Sequence, residues 1–215
     1  GERAGLYYTC INSFLTAGEL AYILDNSESQ ILITSMSKLE VAIDAVAQSS
    51  KVRKVLVVDA DANELPDGFE DYATTCQSFP ATPIDNERLG TSMLYSSGTT
   101  GRPKGIIRPL PEQPPADALP MYDFLGQLWH YREDMIYLSP APLYHSAPQA
   151  AVNLTIRQGG TVIIMERFDP EAYLSLIEQY SVSHSQLVPT MFSRMLKLPE
   201  ACLLYTSDAA DEPMR

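Results

Sequence analysis

Short apolar segments alternate with amphipathic ones along most of the chain, and this alternation limits its possible folds more than any other feature of the sequence. The short segments are rich in β-branched residues, which favours strands, and the stretches between them show the three-to-four-residue apolar spacing of helices. Strands are predicted at residues 30–34, 55–58, 91–96, 135–138, 161–165 and 186–188. This order predicts an α/β fold with a mainly parallel sheet covered by helices.

Local signals mark where several helices begin and end. The run Thr16-Ala17-Gly18-Glu19 has the form of a capping box and predicts a helix that ends near Asp25. Asp169 followed by Pro170 predicts the start of a helix that ends near Tyr180. Further helices are predicted at 121–130 and 190–198, and another is predicted to end near Gln158, with Gly159 as its stop signal. A helix is also predicted around 39–46, where Leu39, Ala42, Ile43 and Val46 repeat at helical spacing.

Two segments lack these patterns. Residues 68–88 are polar and contain two prolines, so they are predicted to form a long connection. A proline-rich stretch lies between residues 109 and 120 and is predicted to form an exposed extended loop. Its prolines are Pro109, Pro111, Pro114, Pro115 and Pro120.

Charge and composition exclude several classes of protein. The net charge is −12, from 15 basic and 27 acidic residues, which argues against a nucleic-acid partner. The sequence contains no run of about 18 apolar residues that would predict a membrane span, and no signal-peptide pattern. Three cysteines, Cys10, Cys76 and Cys202, lack metal-ligand spacing and are predicted to be free thiols in a reducing compartment, which favours a cytoplasmic location.

The segment from Tyr95 to Gly105 carries the strongest chemical signal. Its glycines permit left-handed backbone conformations and let amide groups approach a ligand closely, and its hydroxyls and lysine add donors. This combination matches the requirements of a polyphosphate. The residues predicted to bind the nucleotide cofactor are Ser96, Ser97, Gly98, Thr99, Thr100, Gly101, Lys104 and Gly105.

The charges around this segment support the same interpretation. Arg102, Lys104 and Arg108 are its basic residues, and no acidic residue lies between Glu87 and Glu112. A positive window of this kind in an acidic protein concentrates an anionic ligand. A proline precedes the lysine and a glycine follows it, so the segment does not fit the P-loop pattern of NTPases.

The string Tyr-Ser-Ser-Gly-Thr-Thr-Gly-Arg-Pro-Lys-Gly resembles the phosphate-loop signature of the AMP-binding, or adenylate-forming, superfamily. The resemblance extends from about Gly5 to Glu200. It includes Asn12, Leu15-Thr16 and Glu19-Leu20 of an early helix, the core motif 140–145, and the segments 159–162 and 188–191. The proline-rich stretch after the loop resembles a subset of bacterial fatty-acyl-CoA synthetases.

The resemblance implies an incomplete large N-terminal domain of an ATP-dependent acyl-CoA synthetase. Such an enzyme activates a carboxylic acid, here expected to be a fatty acid, as acyl-AMP and transfers it to CoA. It also implies that Ser97, Thr99, Thr100 and Lys104 hold the β- and γ-phosphates, with Thr100 and Lys104 acting in catalysis. The ligand of Mg²⁺ is expected downstream of this chain, and the fragment alone is expected to be inactive.

The three histidines have different predicted roles. His145 lies in a loop at a strand end, and the resemblance places it beside the acyl and ATP sites, so it is predicted to be catalytic. His130, expected on a helix, and His184, expected just before a strand, are predicted to be structural. No metal-binding spacing is visible among histidines and cysteines, and no metal ligand is predicted.

Residues 1–201 are predicted to be a partial AMP-binding domain, with the chain beginning inside a longer protein. Residues 202–215 resemble the translation of a sequencing adapter and are predicted to be a non-native tail without function. Two alternatives remain open at this stage. One is an aryl- or amino-acid adenylation domain that loads a carrier protein, and the other is a catalytically inactive nucleotide-binding fragment.

Overall fold

The computed structural model describes residues 1–61, 64–96 and 102–199. The chain divides into two compact units, Gly1–Asp117 and Ala118–Arg215. Among the described residues no helix has the length and apolar character needed to cross a membrane.

The first unit is built around a parallel sheet of three strands. Its helices are α1 (Ala17–Asn26), α2 (Leu39–Gln48) and α3 (Tyr72–Gln77), and a 3₁₀ turn covers Met36–Lys38. Its strands are β1 (Tyr7–Tyr8), β2 (Ile31–Ser35), β3 (Lys54–Val58), β4 (Phe69–Asp71), β5 (Thr91–Ser92), β6 (Leu94–Ser96) and β7 (Lys104–Ile106). The parallel sheet has the order β2-β3-β4.

Helices α1 and α2 pack on one face of this sheet. Leu24 of α1 and Ala45 of α2 are almost fully buried against Leu32 and Val55, which lie side by side on β2 and β3. Burial of this apolar surface is the main stabilising contribution to the unit. Beside this sheet, β1 pairs in parallel with β5, and β6 forms an antiparallel hairpin with β7.

The second unit also contains a parallel sheet, with the order β10-β8-β9. Its strands are β8 (Ile136–Ser139), β9 (Thr161–Ile164) and β10 (His184–Ser185). Its helices are α4 (Pro120–Leu128), α5 (Ser146–Arg157), α6 (Pro170–Tyr180) and α7 (Pro189–Met195). Successive residues of β8 face opposite sides, so Tyr137 packs with Val152 of α5 while Leu138 packs with Tyr173 of α6.

The predicted α/β fold is confirmed, and so are three predicted helix boundaries. The backbone N–H of Thr16 donates to the Glu19 carboxylate at 2.9 Å, and the Thr16 hydroxyl accepts from the Glu19 N–H, which completes the capping box. The Asp169 carboxylate accepts from the Ala172 N–H at 2.9 Å at the start of α6. Gly159 follows α5 with a φ of 80°, a conformation that favours glycine.

The prediction of a long connection at 68–88 is wrong for its first part. That part contains β4 and α3, because Asp71 caps the helix by accepting from the Thr74 N–H at 2.8 Å, and Phe69 packs on the core. Both elements are short and mostly polar, so they lack the apolar periodicity used to predict elements. The proline-rich stretch is irregular up to residue 119, but Pro120 is the first residue of α4.

Other predictions need smaller corrections. The strand predicted at 91–96 is interrupted at Met93 and pairs with two different partners, β1 and β7. The strand predicted at 186–188 lies instead at His184–Ser185, because pairing with Tyr137 and Leu138 fixes its position. In α2, Ala42 of the predicted apolar stripe is buried together with Ala45, whereas Ile43 is exposed.

Gly160 is expected to be required for the packing of the second unit. A Cβ at this position would lie 2.7 Å from Met135 Cγ and 2.9 Å from Thr155 Cγ2, and both of these residues are fully buried. We expect Gly160→Ala to lower the free energy of unfolding by about 1–3 kcal/mol in urea denaturation. In the control Gly18→Ala, at an exposed position of α1, the nearest atom would be 3.9 Å away, and stability should stay the same or rise by up to about 1 kcal/mol. Equal effects of the two variants would show that the space around Gly160 does not limit stability.

Burial of tyrosines in the second unit predicts a loss of stability at alkaline pH. Burial raises the pKa of Tyr137, and to a smaller extent those of Tyr131 and Tyr173, above the ordinary value of 10.0. At a pH between the pKa of a tyrosine in the unfolded state and its higher pKa in the folded state, the native state holds more protons than the unfolded state. The contribution of these tyrosines to stability is therefore complete below about pH 10 and falls as the pH rises above it. Urea denaturation across this range should show a weaker decline for Tyr137→Phe than for wild type. The exposed-site control Tyr180→Phe should follow wild type, and identical declines in all three proteins would contradict the prediction.

Candidate functional site

The glycine-rich segment is only partly described by the structure. Ser97, Gly98, Thr99, Thr100 and Gly101, which include the predicted catalytic Thr100, lie outside the described residues. Ser96 is the last residue of β6 and Lys104 the first of β7, and the two are directly paired across the antiparallel hairpin. The ladder therefore brings together two of the predicted site residues, one on each side of residues 97–101.

Lys104 is exposed and forms no ion pair with any described residue. In the same unit Arg3 pairs with Glu87, and Lys54 pairs with Glu70 at 2.9 Å. The ammonium group of Lys104 is therefore accessible to an anionic ligand without first breaking a salt bridge within the described part of the chain.

Gly105 lies close to side chains of other elements. The described glycines with positive φ are Gly5, Gly68 and Gly159, so Gly105 does not use the left-handed conformation that glycine permits. A Cβ on Gly105 would lie 2.5 Å from Met93 Cε, and 3.2 Å from both Asn26 Oδ1 and Tyr95 Cζ. Any larger residue would therefore displace the side chains that pack against β7.

Helix α1 contacts the glycine-rich segment on both sides of residues 97–101. After these residues, the Tyr22 hydroxyl donates to the Pro103 carbonyl at 3.1 Å, and the Arg102 guanidinium lies 5.2 Å from the centre of the Tyr22 ring. Before them, the Tyr95 hydroxyl donates to Asn26 Oδ1 at 2.7 Å. Burial is the main cause of the raised pKa of Tyr95.

Tyr22 and Asn26 were not among the residues predicted from the sequence. They are four residues apart on α1, so they lie on the same side of the helix, next to the buried positions Ala21, Ile23 and Leu24. A large aromatic residue beside an apolar stripe was the available signal, but it does not reveal a contact with residues 69 to 81 positions away.

His145 lies where the sequence predicted it, just beyond the carboxyl end of β8. It is the residue before α5, with φ −87° and ψ 144°, and its exposed ring does not cap the helix. Instead the ring packs beside Tyr144, with 4.4 Å between ring centres, and the His145 N–H donates to the Pro142 carbonyl at 3.2 Å. The imidazole is thus accessible for a contact with substrate.

The other two histidines have different environments. His184 lies in β10 and not before a strand, and its ring nitrogens are 2.8 Å from Ser183 Oγ and 3.0 Å from the Trp129 carbonyl. These contacts fit the predicted structural role. His130 lies beyond the end of α4 with a φ of 54°, so its predicted position on a helix is wrong.

Potential metal ligands do not cluster in the described part of the chain. Across residues 1–61, 64–96 and 102–199 there is no group of three or more His, Cys, Asp or Glu side chains that could hold a metal ion. Cys10 and Cys76 are free thiols, and Cys202 lies outside the described residues.

Comparisons with known proteins identify the family. A relative, acyl-CoA synthetase 7 of Caenorhabditis elegans, is 29% identical over 203 residues, which are 92% of this chain and 38% of that protein. The 2-succinylbenzoate–CoA ligase of Bacillus licheniformis is 27% identical over 200 residues, 92% of this chain and 37% of its own length. The chain thus spans less than two fifths of either relative.

Solved structures support the same fold. The crystal structure of ATP-bound MatB from Rhodopseudomonas palustris matches 93% of this chain and 38% of that protein, with a TM-score of 0.65 and 24% identity. The family model described as AMP-binding enzyme matches residues 2–212, nearly the whole sequence. The chain therefore belongs to the AMP-binding enzyme family.

Proposed function

We propose that the protein carrying this chain is an ATP-dependent acid–thiol ligase that forms an acyl-adenylate and transfers the acyl group to CoA. The observation that carries the proposal is the family's glycine-rich segment together with the geometry of its ends. Lys104, exposed and without an ion-pair partner among the described residues, lies opposite Ser96 across the β6–β7 hairpin.

In the first step, a carboxylate oxygen of the acid would attack the α-phosphorus of ATP, and the bond to the β-phosphate oxygen would break. Negative charge then grows on the departing pyrophosphate. The Lys104 ammonium and the hydroxyls of Ser97, Thr99 and Thr100 would hold these phosphates and neutralise part of that charge. Mg²⁺ would supply further neutralisation, and we assign it no ligand among the described residues.

In the second step, the CoA thiolate would attack the acyl carbonyl and AMP would leave.

The names of the relatives indicate different acid substrates. The nematode protein is named only as an acyl-CoA synthetase, whereas the bacterial protein is named for 2-succinylbenzoate. We propose a fatty acid for this protein, because its proline-rich stretch between 109 and 120 resembles that of a subset of bacterial fatty-acyl-CoA synthetases.

The test is isotope exchange on the complete protein. Labelled pyrophosphate should enter ATP only when a carboxylic acid is present, because formation of the adenylate is reversible. CoA should then convert the adenylate to a thioester, whereas a carrier-protein requirement would favour the alternative adenylation domain. Release of ADP and inorganic phosphate would contradict the proposal.

Lys104→Ala should lower the rate of this exchange about ten- to hundredfold, which corresponds to roughly 1.5–3 kcal/mol for a charge-assisted contact. Lys104→Arg keeps the positive charge and should lose less activity. Lys51→Ala removes an exposed lysine that lies 3.9 Å from Glu28, and it should leave the rate unchanged. An unchanged rate in Lys104→Ala would remove this lysine from the proposed mechanism.

His145→Ala should act mainly on the acid substrate, because the ring is exposed beyond β8 and makes no helix cap. We expect a higher KM for the acid that varies with acyl chain length, and an unchanged KM for ATP. Steady-state exchange kinetics with a series of fatty acids would measure both constants. If kinetics with every chain length matched wild type, His145 would have only a structural role.

A further inference from the structure

The backbone on both sides of Lys104 is held by contacts with one helix. We propose that α1 positions Lys104 through Tyr22 and Asn26, so that these two residues act in the reaction without touching substrate. The inference rests on the proposed function for its catalytic consequence, but the contacts that carry it belong to the described structure.

Tyr22 fixes the backbone that leads into Lys104. Its hydroxyl donates to the carbonyl of Pro103, the residue directly before Lys104, at 3.1 Å. The Arg102 guanidinium lies over the same ring, 5.2 Å from the ring centre. Because proline cannot vary its φ freely, holding its carbonyl also limits the direction in which the chain continues into Lys104.

Asn26 acts through Tyr95 on the backbone that leaves Lys104. Its Oδ1 accepts from the Tyr95 hydroxyl at 2.7 Å, and Tyr95 lies directly opposite Gly105 in the hairpin. The same oxygen is 3.2 Å from the place that a Cβ on Gly105 would occupy, so the bare glycine lies close against α1 and Tyr95. Both neighbours of Lys104, Pro103 and Gly105, therefore lie against other side chains, while the side chain of Lys104 is exposed.

Helix α1 is a suitable support because its opposite side is buried. Leu24 and Ala21 pack in the core of the first unit, and the capping box holds the start of the helix. A catalytic group on a backbone that is already ordered loses less conformational freedom when it binds its ligand.

Double-mutant cycles with pyrophosphate exchange on the complete protein separate positioning from general stability. Tyr22→Phe keeps the ring over Arg102 and loses the hydrogen bond to Pro103, so kcat/KM for ATP should fall about three- to tenfold. The KM for the acid should stay unchanged. In a Lys104→Ala background, Tyr22→Phe should have almost no further effect, because the group that it positions is absent.

Asn26→Ala and Tyr95→Phe remove the same hydrogen bond from its two ends. Each should lower kcat/KM for ATP by a similar factor, and the double variant should be no worse than either single one. Tyr180→Phe, on an exposed tyrosine of α6, is the matched control and should equal wild type. If the reductions in kcat/KM caused by Tyr22→Phe and Lys104→Ala multiplied in the double variant, the inference would be overturned. An equal reduction of kcat/KM for ATP and for the acid would also overturn it.

Hydrogen exchange measures the positioning independently of activity. The amide groups of residues 104–106 should exchange faster in Tyr22→Phe and Asn26→Ala than in wild type and Tyr180→Phe. Faster exchange in a protein that fails to form an adenylate would support the structural contacts and reject the proposed function alone. Unchanged exchange in an active enzyme would reject positioning by α1 and leave the proposed function intact.

Discussion

The candidate site depends on the packing of α1 against the β2–β3 sheet. Leu24 of this helix is almost fully buried beside Leu32 and Val55, so the helix cannot shift without opening the core of the first unit. Its other side carries Tyr22 and Asn26, which contact the β6–β7 hairpin. A single helix thus connects the buried core of the unit with the segment that carries Lys104.

The two units bury their apolar surfaces in the same way but expose different functional groups. In each, a three-stranded parallel sheet is covered by helices whose apolar sides are buried. The first unit presents a lysine on a hairpin beside its sheet, and the second presents His145 between β8 and α5. Lys104 begins a strand and His145 precedes a helix, and both residues are exposed.

Elements with local signals could be predicted from the sequence. The caps at Thr16 and Asp169 are each satisfied within three residues, so the pattern of neighbours contains the whole interaction. By contrast, β10 is two residues long, and its position depends on pairing with Tyr137 and Leu138 nearly fifty residues earlier. The short elements β4 and α3 carry too few apolar residues to show a period.

For the candidate site as well, only residues in continuous sequence motifs could be predicted. Lys104 and His145 lie in motifs that are continuous in sequence, so the motifs located them. Tyr22 and Asn26 contribute through contacts that no short window contains. The limited space at Gly105 also comes from Met93, Tyr95 and Asn26, which approach from other elements, and not from its own backbone conformation.

The contacts between α1 and the hairpin also bear on the order in which the molecule assembles. Tyr22 and Pro103 are 81 residues apart and Asn26 and Tyr95 are 69 apart, whereas most contacts within β2, α2 and β3 join segments close in sequence. Contacts across large loops form after local ones, because the chain must first lose the entropy of closing the loop. We therefore expect the surroundings of Lys104 to be completed late in folding, after the core of the first unit has formed.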